Sequence, residues 1–92
     1  MSGVVRASGY LRCAPDEIGM IRAALPEHVR LTRAEPGCLT FAVTQDADDP
    51  CRWNVDESFR DAAAFEAHRT RAAESDWGRM TAHLFRDISV VA

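Results

Sequence analysis

The 92-residue chain has no basic block, no paired-cysteine motif, no long apolar run, no internal repeat and no low-complexity segment. Each absence removes a class of function. A formal net charge of −3 with no cluster of basic residues lacks the electrostatic footprint of a nucleic-acid or anionic-membrane binder. Cys13, Cys38 and Cys51 are odd in number and far apart, with no C-x-x-C or Cys/His metal spacing. They read as reduced thiols of a cytoplasmic protein, not as zinc ligands or a disulfide framework. No stretch approaches the ~20 apolar residues that a membrane-spanning helix needs. The opening MSGVVRASGYL lacks the apolar core and cleavage site of a signal peptide. Asp46, Asp48 and Asp49 crowd the segment DADDP, but there is no glutamate at the twelfth position of a calcium loop and Pro50 intervenes. A solvated turn is expected there, and no metal. What remains is one cytoplasmic domain over residues 1–92, with a core large enough to fold alone but modest.

Within that domain the elements are legible. VVRASGYLR (Val4 to Arg12) is rich in strand formers and bounded by Pro15, so it reads as a first strand. Pro15-Asp16-Glu17 opens a helix on which Ile18, Ile21, Leu25, Val29 and Thr32 recur at helical spacing. Pro26 cannot donate to the carbonyl of Arg22, which predicts a kink or brief break. Glu35-Pro36-Gly37 ends the helix, with Gly37 free to take a positive φ. CLTFAVTQ (Cys38 to Gln45) alternates Leu39, Phe41 and Val43 against Cys38, Thr40 and Ala42, the pattern of a half-buried strand. The turn formers of DADDP lead into a strand through WNVDESF, so a hairpin is expected. Asp61 caps the next helix, which carries Phe65 and His68 on one face, and Ser75 caps a short helix through Trp77 and Met80. His28 and His83 read as surface or helix-end residues. His83 to Val91 closes the chain as a fourth strand. The order strand, helix, strand, strand, helix, strand is the split βαβ pattern of an α+β, ferredoxin-like fold.

One residue is out of place. In WNVDESF the side chains of Trp53, Val55, Glu57 and Phe59 fall on one side of an extended chain, because side chains alternate across a strand. A carboxylate on an apolar face is unfavourable unless something compensates it. His68, on the inward face of the following helix, is the expected partner. Burial raises such a carboxylate's pKa and a nearby imidazolium lowers it. A carboxylate accepting from one ring nitrogen leaves the other free to act as a base.

The run Glu35-Pro36-Gly37-Cys38-Leu39-x-Phe41, then DADDP, then Glu57-x-Phe59-x-Asp61 and Ala64-Phe65-x-x-His68, resembles the antibiotic biosynthesis monooxygenase family, whose pattern is roughly E-x-G-C-L-x-Y, a turn, E-x-W-x-D and A-x-x-x-H. Each motif alone is weak; their order and spacing together are more specific. The resemblance implies a dimeric α+β barrel, in which two ferredoxin-like subunits pack sheet against sheet and each keeps a pocket between its own sheet and helices. It also implies cofactor-independent oxygenation of a phenolic, hydroquinone-like or polyketide-like aromatic, with no metal or flavin. Phe41 and Phe59 replace the family's usual aromatics, so a tyrosine hydroxyl and an indole N–H are missing. The haem-degrading branch of the superfamily has an asparagine on its first strand, and VVRASGYLR has none, so haem is not expected.

Such chemistry needs a base for the phenolic proton, donors for the oxyanion and a dry aromatic pocket. His68 is the expected base with Glu57 beside it. Trp53, Phe41, Phe59, Phe65 and Trp77 are candidate walls for a small aromatic ligand. Tyr10, Asn54 or an arginine are candidate oxyanion donors. The competing reading is purely structural: Glu57 accepting backbone or tyrosine hydrogen bonds, His68 satisfied in the core, the tryptophans and phenylalanines as packing. The outward row Arg52, Asn54, Asp56, Ser58, joined by Cys38, Thr40 and Ala42, is the expected face of a homodimer. Two rival functions stand beside the monooxygenase: a non-catalytic ligand-binding or stress-response dimer on the same barrel, and an isomerase or lyase that uses the pocket for proton transfer.

Overall fold

The computed structural model describes residues 3–92. β1 (Val5–Arg12) is followed by a 3-10 turn at Pro15–Glu17 and by α1 (Ile18–Arg33). The hairpin strands β2 (Cys38–Gln45) and β3 (Arg52–Phe59) come next, then α2 (Ala62–Glu74), α3 (Asp76–Thr81) and β4 (Phe85–Val91). The four strands form one antiparallel sheet in the order β2-β3-β1-β4, the ferredoxin-like arrangement. No helix among the described residues is long and apolar enough to cross a membrane.

The local signals act as capping chemistry requires. The carboxylate of Asp61 accepts from the backbone N–H of Ala64 at 2.8 Å, which satisfies an orphan donor at the start of α2. The hydroxyl of Ser75 does the same for Gly78 at 3.2 Å and starts α3. In the hairpin turn, Asp46 accepts from the N–H groups of Asp48 and Asp49 and from the side chain of Asn54. The bond from Asn54, with those from the backbone, holds the Asp46 carboxyl below the usual range.

Three local expectations are corrected. α1 continues through Pro26 as one helix. Pro26 is on the exposed side, so the hydrogen bond it cannot make is lost where water reaches the free carbonyl, while Ile21, His28 and Thr32 anchor both halves to the core. Gly37 does not use a positive φ. Its value is the missing side chain: a Cβ there would overlap the Cβ of Ala64, so only glycine lets this loop close onto the first turn of α2. The third correction is in β2. Cys38 pairs with Phe59 and Thr40 with Ser58, which leaves Leu39 as the extra residue of a bulge. Leu39 is therefore exposed, and Cys38 turns inward against Phe59 and Phe65 instead of joining Thr40 on the outer row.

Most of the buried side chains of the sheet lie on its inward face, with Ser58 of the outward row an exception. The inward face of β3 carries Trp53, Val55, Glu57 and Phe59, all buried. One apolar cluster gathers Leu11, Cys13, Ile21, Trp53, Val55, Trp77 and Leu84. A second joins Val5, Ala7, Phe59 and Phe65. The three cysteines are free thiols. Gly9 lies in register between Val55 of β3 and Ile88 of β4, with φ 157°. A Cβ at Gly9 would strike the carbonyl oxygen of Asp87, so the close approach of β1 and β4 depends on glycine there. The outward face carries Arg6, Tyr10, Asn54 and Phe85.

Candidate functional site

Between the inward face of the sheet and the helices α2 and α3 lies a cavity of about 770 Å³. Phe41, Val43, Val55 and Glu57 line it from the hairpin, Ile88 and Val90 from β4, His28 from α1, His68 and Arg69 from α2, and Trp77 from α3. Glu57 and His68 thus share one chamber, and both are buried, at 7% and 6% exposure.

Their relation differs from the expected one. The Nε2 atom of His68 is 3.7 Å from Oε2 of Glu57, outside hydrogen-bond range but close enough for a small side-chain rotation to close the gap. The residue that orients His68 is Glu35, whose Oε1 lies 3.0 Å from Nδ1 of the imidazole. The other oxygen of Glu35 accepts from Nε of Arg71 at 2.6 Å. Arg71 in turn donates to the hydroxyl of Thr32 at 2.9 Å, and that hydroxyl donates to the carbonyl of His28. An ionised carboxylate only accepts, so Nδ1 carries the proton in the neutral ring and Nε2 keeps its lone pair. The ring stacks on Phe59, centroids 4.8 Å apart at 30°, which fixes its plane. The basic nitrogen of His68 is therefore the one turned toward Glu57.

Electrostatics follow from burial. Loss of water, with the negative charges of Glu35 and Asp56 nearby, pushes the Glu57 carboxyl up to about 7. Burial also lowers the pKa of His68, against the opposing pull of Glu35. Near neutrality the pair is thus a basic imidazole nitrogen beside a carboxyl that is only partly ionised. Such a pair can accept a proton and return one.

The remaining sequence candidates separate into three groups. Phe41 and Trp77 line the cavity. Phe59 stands behind His68, Phe65 packs on Phe59 at 5.6 Å, and Trp53 lies in the first apolar cluster, where its indole N–H points at Sγ of Cys13 at 3.4 Å. These three are packing residues here and do not line the chamber. Tyr10 is on the opposite side of the sheet. It pairs with Asn54, one residue out of step with the inward row, and Arg52 covers its ring at 4.0 Å. Strand parity therefore removes both Tyr10 and Asn54 from this chain's cavity as oxyanion donors. The cationic side chains that do line it are Arg69 and Arg86.

His28 corrects the reading of it as a surface residue. It is 5% exposed, and its ring lies flat on Trp77 with centroids 4.7 Å apart at 8°. The signal was present: positions 21, 25, 28 and 32 share one helical face, so His28 belongs with Ile21, Leu25 and Thr32. Glu35 was also visible, as the first residue of the Glu-Pro-Gly-Cys run, but its local role as helix terminator concealed the long-range one.

The family model described as antibiotic biosynthesis monooxygenase matches residues 4–79. Among solved structures, Rv0793 from Mycobacterium tuberculosis is 24% identical with a TM-score of 0.84, covering 98% of this chain and 94% of that one. MupZ from Pseudomonas fluorescens is 20% identical with a TM-score of 0.81, covering 98% of this chain and 68% of that one. A crystal structure described as antibiotic biosynthesis monooxygenase is 25% identical with a TM-score of 0.75, covering 95% of this chain and 93% of that one. No curated protein matches the chain by sequence. Sheet order, motif order and a family match spanning β1 to α3 agree, and the chain belongs to the antibiotic biosynthesis monooxygenase family.

Proposed function

We propose that this protein is a small cofactor-independent monooxygenase that oxidises a phenolic or hydroquinone-like aromatic. The observation that carries the reading is the anchored imidazole: Glu35 holds Nδ1, which leaves Nε2 free beside Glu57 in an aromatic-walled chamber. In this scheme Nε2 of His68 takes the phenolic proton. The resulting phenolate gives one electron to O₂, and the phenoxyl and superoxide radicals combine at a ring carbon that bears hydrogen. The imidazolium returns its proton to the new peroxide. Glu57 then removes the ring C–H proton as the O–O bond breaks, and the departing hydroxide is protonated to water. One phenol and one O₂ become one quinone and one water. Phe41 and Trp77 exclude water from the radical pair, and Arg69 or Arg86 supplies the cationic field for the oxyanion.

The same acid–base pair also suits proton transfer alone, which keeps an isomerase as the second reading; a non-catalytic ligand-binding dimer is the third. Incubating metal-stripped protein with a panel of hydroquinones and following O₂ uptake separates them. Uptake that falls at least 100-fold in His68→Ala supports the oxygenase. Solvent-proton exchange into substrate without uptake replaces it with the isomerase, and binding with neither replaces it with the ligand module.

We further propose a homodimer through the outward sheet face. Phe85 and Val91 are 58% and 66% exposed there, flanked by Tyr10 and Arg6. Light scattering at micromolar concentration should give twice the chain mass, and a stable monomer would refute the pairing.

A further inference from the structure

We propose that His28 is a second ligand-contacting residue of the cavity, selecting ligands that carry another polar group about one ring's width from the one His68 meets. The inference rests on the reading of this chamber as the aromatic-binding site. Three observations support it. First, His28 is framed by aromatic rings: it lies flat on Trp77, meets Phe41 edge-on at 5.3 Å and 81°, and stands 6.2 Å from the His68 ring. Second, its Nδ1 is buried and, among the described residues, has no hydrogen-bond partner. Third, the residue lines the same cavity as Glu57 and His68.

An imidazole that only packed against aromatics would be better replaced by a phenyl ring, because an unpartnered buried polar atom is destabilising. A ligand that supplies the missing partner removes that penalty. Flipping the ring by 180° about the Cβ–Cγ bond restores its plane, and with it the stack on Trp77, while it exchanges the two ring edges, so either edge can present a nitrogen. Burial, with Arg71 and His68 adding positive charge nearby, drives the pKa of His28 down to about 3. The ring is then neutral, with one donor and one acceptor, and can meet a hydroxyl or a carbonyl. His68 differs: its Nδ1 is already committed to Glu35. The two histidines thus have separate tasks, proton transfer at His68 and recognition at His28.

The test measures binding without oxygen, so it does not depend on turnover. Dissociation constants of 1-naphthol and of a set of dihydroxynaphthalenes are measured anaerobically for wild type, His28→Phe and His28→Gln. At least one dihydroxynaphthalene should bind wild type about tenfold tighter than 1-naphthol, the factor one well-made hydrogen bond supplies. His28→Phe should bring that ratio close to one, and His28→Gln should restore part of it. A ratio of one in wild type, a ratio unchanged in His28→Phe, equal weakening of every ligand, or no binding of any naphthol to wild type would each overturn the proposal. If His28→Phe does not fold, ¹⁵N spectra of wild type decide: the preferred ligand should shift the ring nitrogens of His28, and an unmoved signal overturns the inference. His28-dependent selectivity without O₂ uptake would discard the oxygenase and keep this assignment; His68-dependent uptake with selectivity indifferent to His28 would do the reverse.

Discussion

Replacing Glu57 by glutamine should make the protein more stable at alkaline pH and inactive. The carboxyl is 7% exposed and titrates near 7 in the folded state, against an ordinary value of 4.5. Its folded pKa lies above its unfolded one. Folding is thus unhindered by this group below pH 4.5, where both states are protonated. As pH rises from 4.5 to about 7, the unfolded chain releases a proton that the folded chain retains, and stability falls. At 1.36 kcal/mol for each pH unit of displacement, the loss is about 3 kcal/mol above pH 7. That is a large share of the 5–15 kcal/mol typical of a domain. Glutamine has nearly the same shape and no charge, so Glu57→Gln should be indistinguishable from wild type at pH 4 and more stable by about 3 kcal/mol at pH 8. Urea unfolding at intervals between those limits reads the difference directly. His28 and His68 are common to both proteins, so their titration largely cancels in the comparison. A difference that stays flat with pH would refute the buried, reluctant carboxylate, and with it the acid–base pair. A gain in stability accompanied by loss of O₂ uptake is the pattern expected of a strained functional group.

Other substitutions probe the surrounding frame. His28 resists protonation down to about pH 3 when folded, against 6.5 ordinarily, so its contribution is fully present above pH 6.5 and is lost as pH falls toward 3. His28→Phe should flatten the acid limb of the stability profile by up to about 4 kcal/mol, measured by urea unfolding from pH 7 to 3. Glu35→Ala removes the acceptor that serves both His68 and Arg71, and should cost about 2 kcal/mol and depress O₂ uptake as severely as His68→Ala. Gly37→Ala should destabilise by about 2 kcal/mol, because its methyl overlaps that of Ala64, and Ala64→Gly in the same chain should recover most of the loss.

The parts of the fold legible from sequence were those set by local chemistry. Asp61 and Ser75 cap helices because their side chains reach N–H groups three residues on. The inward row of β3 follows from parity alone, and so does the burial of Glu57. What sequence did not disclose needed distance or an interruption of the pattern. Leu39 keeps perfect alternation on paper, yet the bulge there turns Cys38 inward. Glu35 reads locally as a helix end, and its partners His68 and Arg71 are 33 and 36 residues away. The phenol of Tyr10 has the chemistry of an oxyanion donor, but parity puts it behind the sheet. Pro26 was expected to interrupt α1, but a proline facing water leaves only a solvated carbonyl unpaired.

Gly9 carries a consequence for how such a protein diversifies. Between Val55 and Ile88 the middle of the sheet contributes backbone and no side chain. Both neighbours, Val55 and Ile88, line the cavity, and neither carries a titratable group. Enlarging or trimming those two aliphatic neighbours would alter the shape of the cavity while leaving Glu57, His68 and Glu35 as they are, so its fit to a guest can change without disturbing the titratable groups.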